Sequence, residues 1–420
     1  MRTNRPLHSR TVNRTVLTAR LWLFFALSLA ICQVAAAAPQ DDWQGIDRVV
    51  AIGDIHGDYA NYLEVLKEAG VVDRRGKWNA GATHVVQVGD IPDRGPDTLK
   101  IIEHLQKLEK QAKKAGGFLH LLIGNHEYMN VTGDLRYVHP GEFDAFKTRN
   151  SKKLRDNYYQ YVVKQLEQQR AELATTDPDN AAALPVVDDA FKVQWYEEHP
   201  LGFIEHRMAW QVGGELQDWV ATHNTVIRIN DVLYLHGGLG PEMLELSMTD
   251  INETIRAELK GQINQSEPLG TLENGPLWYR GLARNDEASE SSHLAALLEH
   301  FQVNRIVLGH TPDLNVITPR FGGQVVIIDT GISAYYGGHR ASLMIDQTGA
   351  WARHERDQLA IPDSESSLLT YFEQLAAQQP QNARLSEHLR RLQQVPAEGG
   401  LSEEVLDSPA LDSAASMSEG

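Results

Sequence analysis

The sequence of 420 residues predicts an α/β fold, layered with helices packed outside a buried sheet. Three observations point there. Short apolar runs alternate with helix-like stretches along most of the chain. The runs are continuously apolar rather than alternating, as strands covered on both faces are. Most of them end in a glycine-bearing polar block.

The elements follow in order. Arg48 to Ile52 is the first strand, leading into GDIHGD at 53–58 and a helix-like stretch from Tyr59 to Ala69. His84 to Val88 is the second, ending in GDIPDRG at 89–95, with a long helix from Thr98 to Ala115 behind it. Phe118 to Ile123 is the third and ends in GNHE at 124–127. Residues 131–220 break this rhythm. Tyr158, Tyr161, Val162 and Leu166 suggest helices there, and the Pro, Asp, Asn and Ala residues of 175–186 suggest a loop between them. The segment reads as a helical insertion placed to cap a site. Strands resume at Thr225 to Ile229, turn at Asn230-Asp231, and continue from Val232 to Leu235 into HGG at 236–238. Arg305 to Leu308 leads into GHTP, and Val325 to Asp329 into TGISAYYGG. A hairpin pairs Ser342 to Ile345 with Ala350 to Arg353 across a Gln-Thr-Gly turn. Residues 361–395 read as two amphipathic helices, one carrying Leu368, Leu369, Phe372 and Leu375. Residues 396–420 hold six acidic residues and no basic one, the composition of a disordered tail.

The start of the chain stands apart from the fold. Arg2, Arg5, Arg10, Arg14 and Arg20 precede an apolar run from Leu21 to Val34 and then Ala35 to Ala38. Basic flank, apolar block and small-residue exit form a secretory leader over residues 1–38, with an organelle transit peptide as the alternative. The run falls short of the roughly 20 residues that cross a bilayer. The expected destination is the periplasm or the exterior. Residues 39–360 then form the main domain, with the insertion inside it.

Charge and cysteine usage narrow the chemistry. Loss of the leader removes five arginines and nothing acidic, taking the formal charge from -17 to -22. Such a body argues against non-specific nucleic-acid binding, and an anionic substrate needs a locally positive site. Cys32 is the only cysteine and lies in the leader behind Ile31, where a lipoprotein signal needs a small residue. Any metal in the mature chain must therefore be held by His, Asp, Glu or Asn.

Open α/β sheets place ligands beyond the carboxyl ends of their strands, so the polar blocks can converge. Asp54 and His56, two residues apart, can face one cation, and Asp90 can bridge two. Asn125, His236 and His310 are neutral ligands that complete a second. Imidazole, carboxylate and amide together suit Mn first, with Fe or Zn as alternatives. Singly, Asp-x-His, His-Gly-Gly or Gly-His-Thr is a common loop. Their joint occurrence, in order and after strands, is not.

The blocks GDxHG, GDxxDRG, GNHE and HGG resemble those of the calcineurin-like metallophosphoesterases, in the phosphoprotein phosphatase branch. PLWYRG, GHTP and DTGISAYYGG resemble the bacterial-type Shewanella-like phosphatases. The resemblance spans residues 47 to about 350. It implies a sandwich of two mixed sheets flanked by helices. It also implies two divalent metal ions, one held by Asp54, His56 and Asp90 and the other by Asp90, Asn125, His236 and His310. His126 matches the general acid, Asp93 the carboxylate orienting it, and Arg94 and Arg280 the phosphate-gripping arginines. The implied reaction is removal of phosphate from Ser, Thr or Tyr by a hydroxide bridging two metal ions, without a phospho-enzyme. The partner is then a phosphorylated protein or peptide, or a small phosphoester, with no nucleic acid and no lasting membrane insertion. A small-molecule phosphatase or dinucleoside polyphosphate hydrolase is the enzyme alternative, and an inactive metal-binding scaffold the other. Asp58, where the eukaryotic enzymes carry Gln, and ISAYYGG, in place of their SAPNY-like segment, leave the substrate open. His223, Tyr335, Tyr336, His339, Trp278 and Tyr279 are further residues that either line the site or fill loops and core.

Overall fold

The computed structural model describes residues 39–263, 266–355 and 357–394. The leader and the acidic tail lie outside the described residues. Two six-stranded mixed sheets form the centre. The first contains β1 (Asp42–Trp43), β5 (Val226–Ile229), β6 (Val232–Leu235), β7 (Arg305–Leu308), β8 (Thr318–Arg320) and β9 (Val325–Ile327). Its spatial order is β1-β5-β6-β7-β9-β8. The second contains β2 (Arg48–Ile52), β3 (His84–Gln87), β4 (Phe118–Leu121), β10 (Ala341–Asp346), β11 (Gly349–His354) and β12 (Asp357–Ala360). Here the order is β12-β11-β10-β2-β3-β4, with β2, β3 and β4 parallel and the rest antiparallel.

Why these strands read as unbroken apolar runs is now visible. Side chains alternate between two faces along a strand. In β2, Val49 and Ala51 face the second sheet's partner across the sandwich, packing with Ile227, Tyr234 and Val307. Val50 and Ile52 face outward instead, with Val65 and Leu66 of α1 (Tyr59–Glu68) and Ile101, Leu105 and Leu108 of α2 (Thr98–Lys114). The first sheet repeats the pattern. Leu233, Leu235 and Ile306 lie in the cluster that contains Ile251 and Ile255 of α10 (Met248–Leu259), Leu282 of α11 (Gly281–Arg284) and Leu297 of α12 (Glu287–Phe301). Both faces are covered, so both parities are apolar.

Between β4 and β5 lies a helical segment. It begins with α3 (Asn125–Thr132) and α4 (Pro140–Ala145), followed by the 26-residue α5 (Ser151–Thr176). The stretch 175–186, expected to be loop, contains α6 (Pro178–Ala183). Pro178 suits the first helical turn, where no N–H is needed, and the Asp177 side chain accepts from Asn180 N. Then come α7 (Asp189–Glu198), α8 (Phe203–Trp210) and α9 (Glu215–Val220). The C-terminal pair α13 (Glu365–Gln378) and α14 (Ala383–Gln394) sends Tyr371, Phe372, Leu375 and Leu385 into the intersheet core. No described helix is long and apolar enough to cross a membrane.

Candidate active site

All six polar blocks stand at the carboxyl ends of strands, and hydrogen bonds lace them together across the two sheets. His236, after β6, points its Nδ1 at Val88 O after β3 (3.0 Å). His310 N, after β7, donates to Asp54 Oδ2 after β2 (3.0 Å). Glu127 in α3 accepts from Gly124 N, Asp90 N and Ile91 N at 2.8, 2.9 and 2.7 Å, binding the third block to the second. Gly124 must be glycine, because a Cβ there would strike the Asp90 carboxylate and Asp90 N.

At the centre is Asp90, 2% exposed. Its Oδ2 is 3.3 Å from His236 Nε2, 3.7 Å from His56 Nε2 and 3.8 Å from His126 Nε2. His236 Nε2 also lies 2.9 Å from Asn125 Oδ1 and 3.1 Å from His310 Nδ1. With Nδ1 donating to Val88 O, the Nε2 of a neutral His236 carries a lone pair, and it faces three other electron-rich atoms. A divalent cation resolves that crowding. His56 repeats the arrangement: Nδ1 is 3.2 Å from Pro92 O, leaving Nε2 toward Asp54 (3.9 Å) and Asp90. No described Lys or Arg lies within ion-pair distance of Asp54, Asp90 or Asp329. Burial first, then the neighbouring Asp329 and Asp90 carboxylates, push the Asp54 pKa well up. Burial takes Asp329 up to about 6. Buried carboxylates without a counter-cation fit a metal site, and the donor set fits divalent ions.

His126 is also within reach of a cation shared with His56 and Asp90. What separates it is its other nitrogen. Nδ1 donates to Asp93 Oδ2 at 2.5 Å, and the second Asp93 oxygen accepts from Asn130 Nδ2 at 2.9 Å. Burial alone would depress the His126 pKa, but Asp90 and Asp93 outweigh it and hold it above the ordinary histidine value. An imidazolium is a proton donor, not a ligand.

Arg94 sits at the edge of this cluster. Its guanidinium lies 3.9 Å from the Tyr137 ring centroid and 4.9 Å from that of Tyr335, whose hydroxyl accepts from Nη1 (3.1 Å). Arg280 donates through Nη1 to His310 O (2.5 Å) and Thr311 Oγ1 (3.0 Å), so it also fixes the loop carrying His310. Neither arginine is paired with a carboxylate among the described residues. Tyr336 packs 5.2 Å from His56, and Trp278 stands edge-on to His310 at 5.9 Å. Tyr279 turns away to Glu290, His223 packs against Trp219, and His339 bonds through its backbone within its own loop. Glu127, Asn130, Tyr137 and Asp329 are site residues that sequence reasoning assigned no role. Glu127 left a signal as an acidic residue in the first turn of α3, and Asp329 as the strand-end residue that opens DTGISAYYGG.

The calcineurin-like phosphoesterase family profile matches residues 47–314, which carry every one of these groups up to His310. The chain belongs to the calcineurin-like phosphoesterases. It is a metal-dependent phosphoester hydrolase with a phosphatase-like site. The phosphoesterase is 31% identical over 295 residues to Shewanella-like protein phosphatase 2 of Arabidopsis thaliana, covering 68% of this chain and 72% of that one. It is 33% identical over 309 residues to an uncharacterised protein of Schizosaccharomyces pombe, covering 71% and 77%. Among solved structures it resembles the cold-active protein-tyrosine phosphatase of a psychrophilic Shewanella, at 29% identity and a TM-score of 0.55, covering 77% and 83%. The two-sheet architecture agrees with that likeness.

Proposed function

We propose that this phosphoesterase is a phosphoprotein phosphatase acting on phosphorylated Ser, Thr or Tyr side chains, with manganese as its working metal. The reading rests on the three donor atoms gathered around His236 Nε2, with the His126–Asp93 pair beside it. The names of its Arabidopsis and Shewanella relatives support a protein substrate. Asp54, His56 and Asp90 would hold one cation, and Asp90, Asn125, His236 and His310 the other. When bound, the two ions neutralise phosphoryl charge and acidify the attacking water.

The chain's own residues do the rest. Arg94 and Arg280 grip phosphoryl oxygens, for which a planar guanidinium fork is suited. Arg94 reaches them by leaving the Tyr335 hydroxyl. Water adds to phosphorus as the ester P–O bond breaks on the opposite side. His126 Nε2 gives its proton to the departing oxygen and regains one from solvent as the attacking water releases its own, so the products are an alcohol or phenol and inorganic phosphate. Asp93 keeps the ring turned and stabilises its charge through Nδ1. No side chain is left phosphorylated.

The arginine-rich apolar leader supports export to the periplasm or exterior, which fractionation of expressing cells would check. For the activity, purified protein is stripped with EDTA, resupplied with Mn2+, Fe2+ or Zn2+, and offered phosphotyrosine, phosphoserine and phosphothreonine peptides beside nucleotides. Turnover should vanish on chelation and return most fully with Mn2+ on a phosphopeptide. Preference for nucleotides would overturn the protein-substrate reading.

A further inference from the structure

Behind the His126–Asp93 pair lies a second carboxyl group that the reaction as described does not use. Glu142, on α4, is fully buried. Its Oε2 accepts from Thr98 Oγ1 at 2.8 Å and from the backbone N of Asp93 at 3.3 Å. Its Oε1 lies 3.4 Å from Nε2 of His206 on α8. No described Lys or Arg pairs with it. A carboxyl group in such a place is costly where an apolar side chain would pack without penalty.

The backbone N–H that donates to it belongs to an unusual stretch of chain. Asp93 has φ +72° and Arg94 φ +64°, a left-handed pair of residues that both carry Cβ atoms. Such a pair persists only where its surroundings hold it. Helical-segment residues supply the hold: Asp93 N donates to Glu142, and Arg94 N donates to Tyr137 O at 3.0 Å. The carboxylate end of Asp93 is fixed as well, Oδ1 by Asn130 and Oδ2 by His126. Arg207, the neighbour of His206 on α8, donates to the Asn130 carbonyl. One helix thus braces both sides of Asp93.

Burial, then the Asp93 carboxylate, push the Glu142 pKa up to about 8, while burial takes His206 down to about 3. Both shifts favour the neutral forms of Glu142 and His206, which lie side by side. A neutral Glu142 can hold the Asp93 backbone without setting a second negative charge behind it.

We propose that Glu142 is a positioning residue for the general acid, fixing the Asp93 backbone so that Asp93 presents its carboxylate to His126 Nδ1. The inference rests on the phosphatase reading, in which His126 protonates the leaving oxygen. A positioning defect of this kind hurts poor leaving groups most, because they depend most on protonation.

The test compares full-length wild type, Glu142→Ala, Glu142→Gln and Asp93→Asn, each supplied with Mn2+, on p-nitrophenyl phosphate and on phenyl phosphate, the poorer leaving group. Glu142→Ala should lower kcat on phenyl phosphate about tenfold more than on p-nitrophenyl phosphate, with KM little changed, following the pattern of Asp93→Asn. Glu142→Gln, neutral and still an acceptor, should stay near wild type on both. An equal loss on the two substrates, or none, overturns the proposal. If Glu142→Ala does not fold, Glu142→Asp, which withdraws the carboxyl by one methylene, takes its place. A second readout needs no turnover. The downfield proton resonance of His126 Nδ1–H, assigned by its absence in His126→Asn, should move or vanish in Glu142→Ala and persist in Glu142→Gln. An unchanged resonance in the alanine variant also overturns the proposal. A wild type inactive on both esters would sink the phosphatase reading instead, and the resonance would still decide the role of Glu142.

Discussion

At His236 the side of the ring that faces the cluster is decided by what lies behind it. The Val88 carbonyl accepts from Nδ1–H, and the lone pair at Nε2 is thereby committed to the cluster. His126 is held the other way, with a carboxylate at Nδ1 that favours the charged ring. In the proposed mechanism two histidines near one carboxylate thus take opposite roles, and substitution should separate them. Asp90→Asn should lose bound metal and activity together, as read by elemental analysis and assay. His126→Asn should keep its metal and lose about 10²–10⁴ in kcat. Full activity in either variant would end the mechanism proposed above. The ten residues that sequence reasoning named do converge here, because their motifs fix both residue type and strand-end position. Glu142 could not be read that way. It lies 49 residues from Asp93, on another element, and meets it through a backbone N–H that no side-chain pattern records.

The strands were legible and their division into two sheets was not, except through resemblance. A continuous apolar run says that both faces are buried. It cannot say that Val49 and Val50 belong to different cores. The helices α10 and α12 went unread, and so did the edge strands β1, β8 and β12, which are only two to four residues long. The family match ends at residue 314, yet α13 and α14 beyond it brace the loop after β7. Tyr371 donates to Ile317 O, and Asn382 Nδ2 to Leu314 O. Phe372, 1% exposed, fills the intersheet core from this pair of helices. Phe372→Ala should cost about 3–5 kcal/mol of stability, measured by urea unfolding. A loss under about 1 kcal/mol would mean that the helices lie on the domain without supporting it.

Across the molecule, buried histidines tie stability to pH. Burial holds His223 at about 3 and His354 at about 4. Both stay neutral in the fold, while an unfolded chain protonates them below the ordinary value of about 6.5. Unfolding below pH 6.5 therefore takes up protons. Stability is full above 6.5 and drains as pH falls toward the folded values, by up to about 1.4 kcal/mol per pH unit for each residue. Urea unfolding at pH 7, 6 and 5 should show His223→Leu declining less steeply than wild type, and equal slopes would refute the assignment.

The helical segment has one more consequence. Asp54, His56 and Asp90 precede it, Asn125 opens it, and His236 and His310 follow it, the first and last standing 256 positions apart. Asp177, between α5 and α6, is a natural place to divide the gene. Two separately made fragments cut there would each carry part of the ligand set. Neither should hydrolyse a phosphoester alone. Co-expression should restore turnover as the halves meet, making the enzyme a reporter for whatever brings two fused partners together.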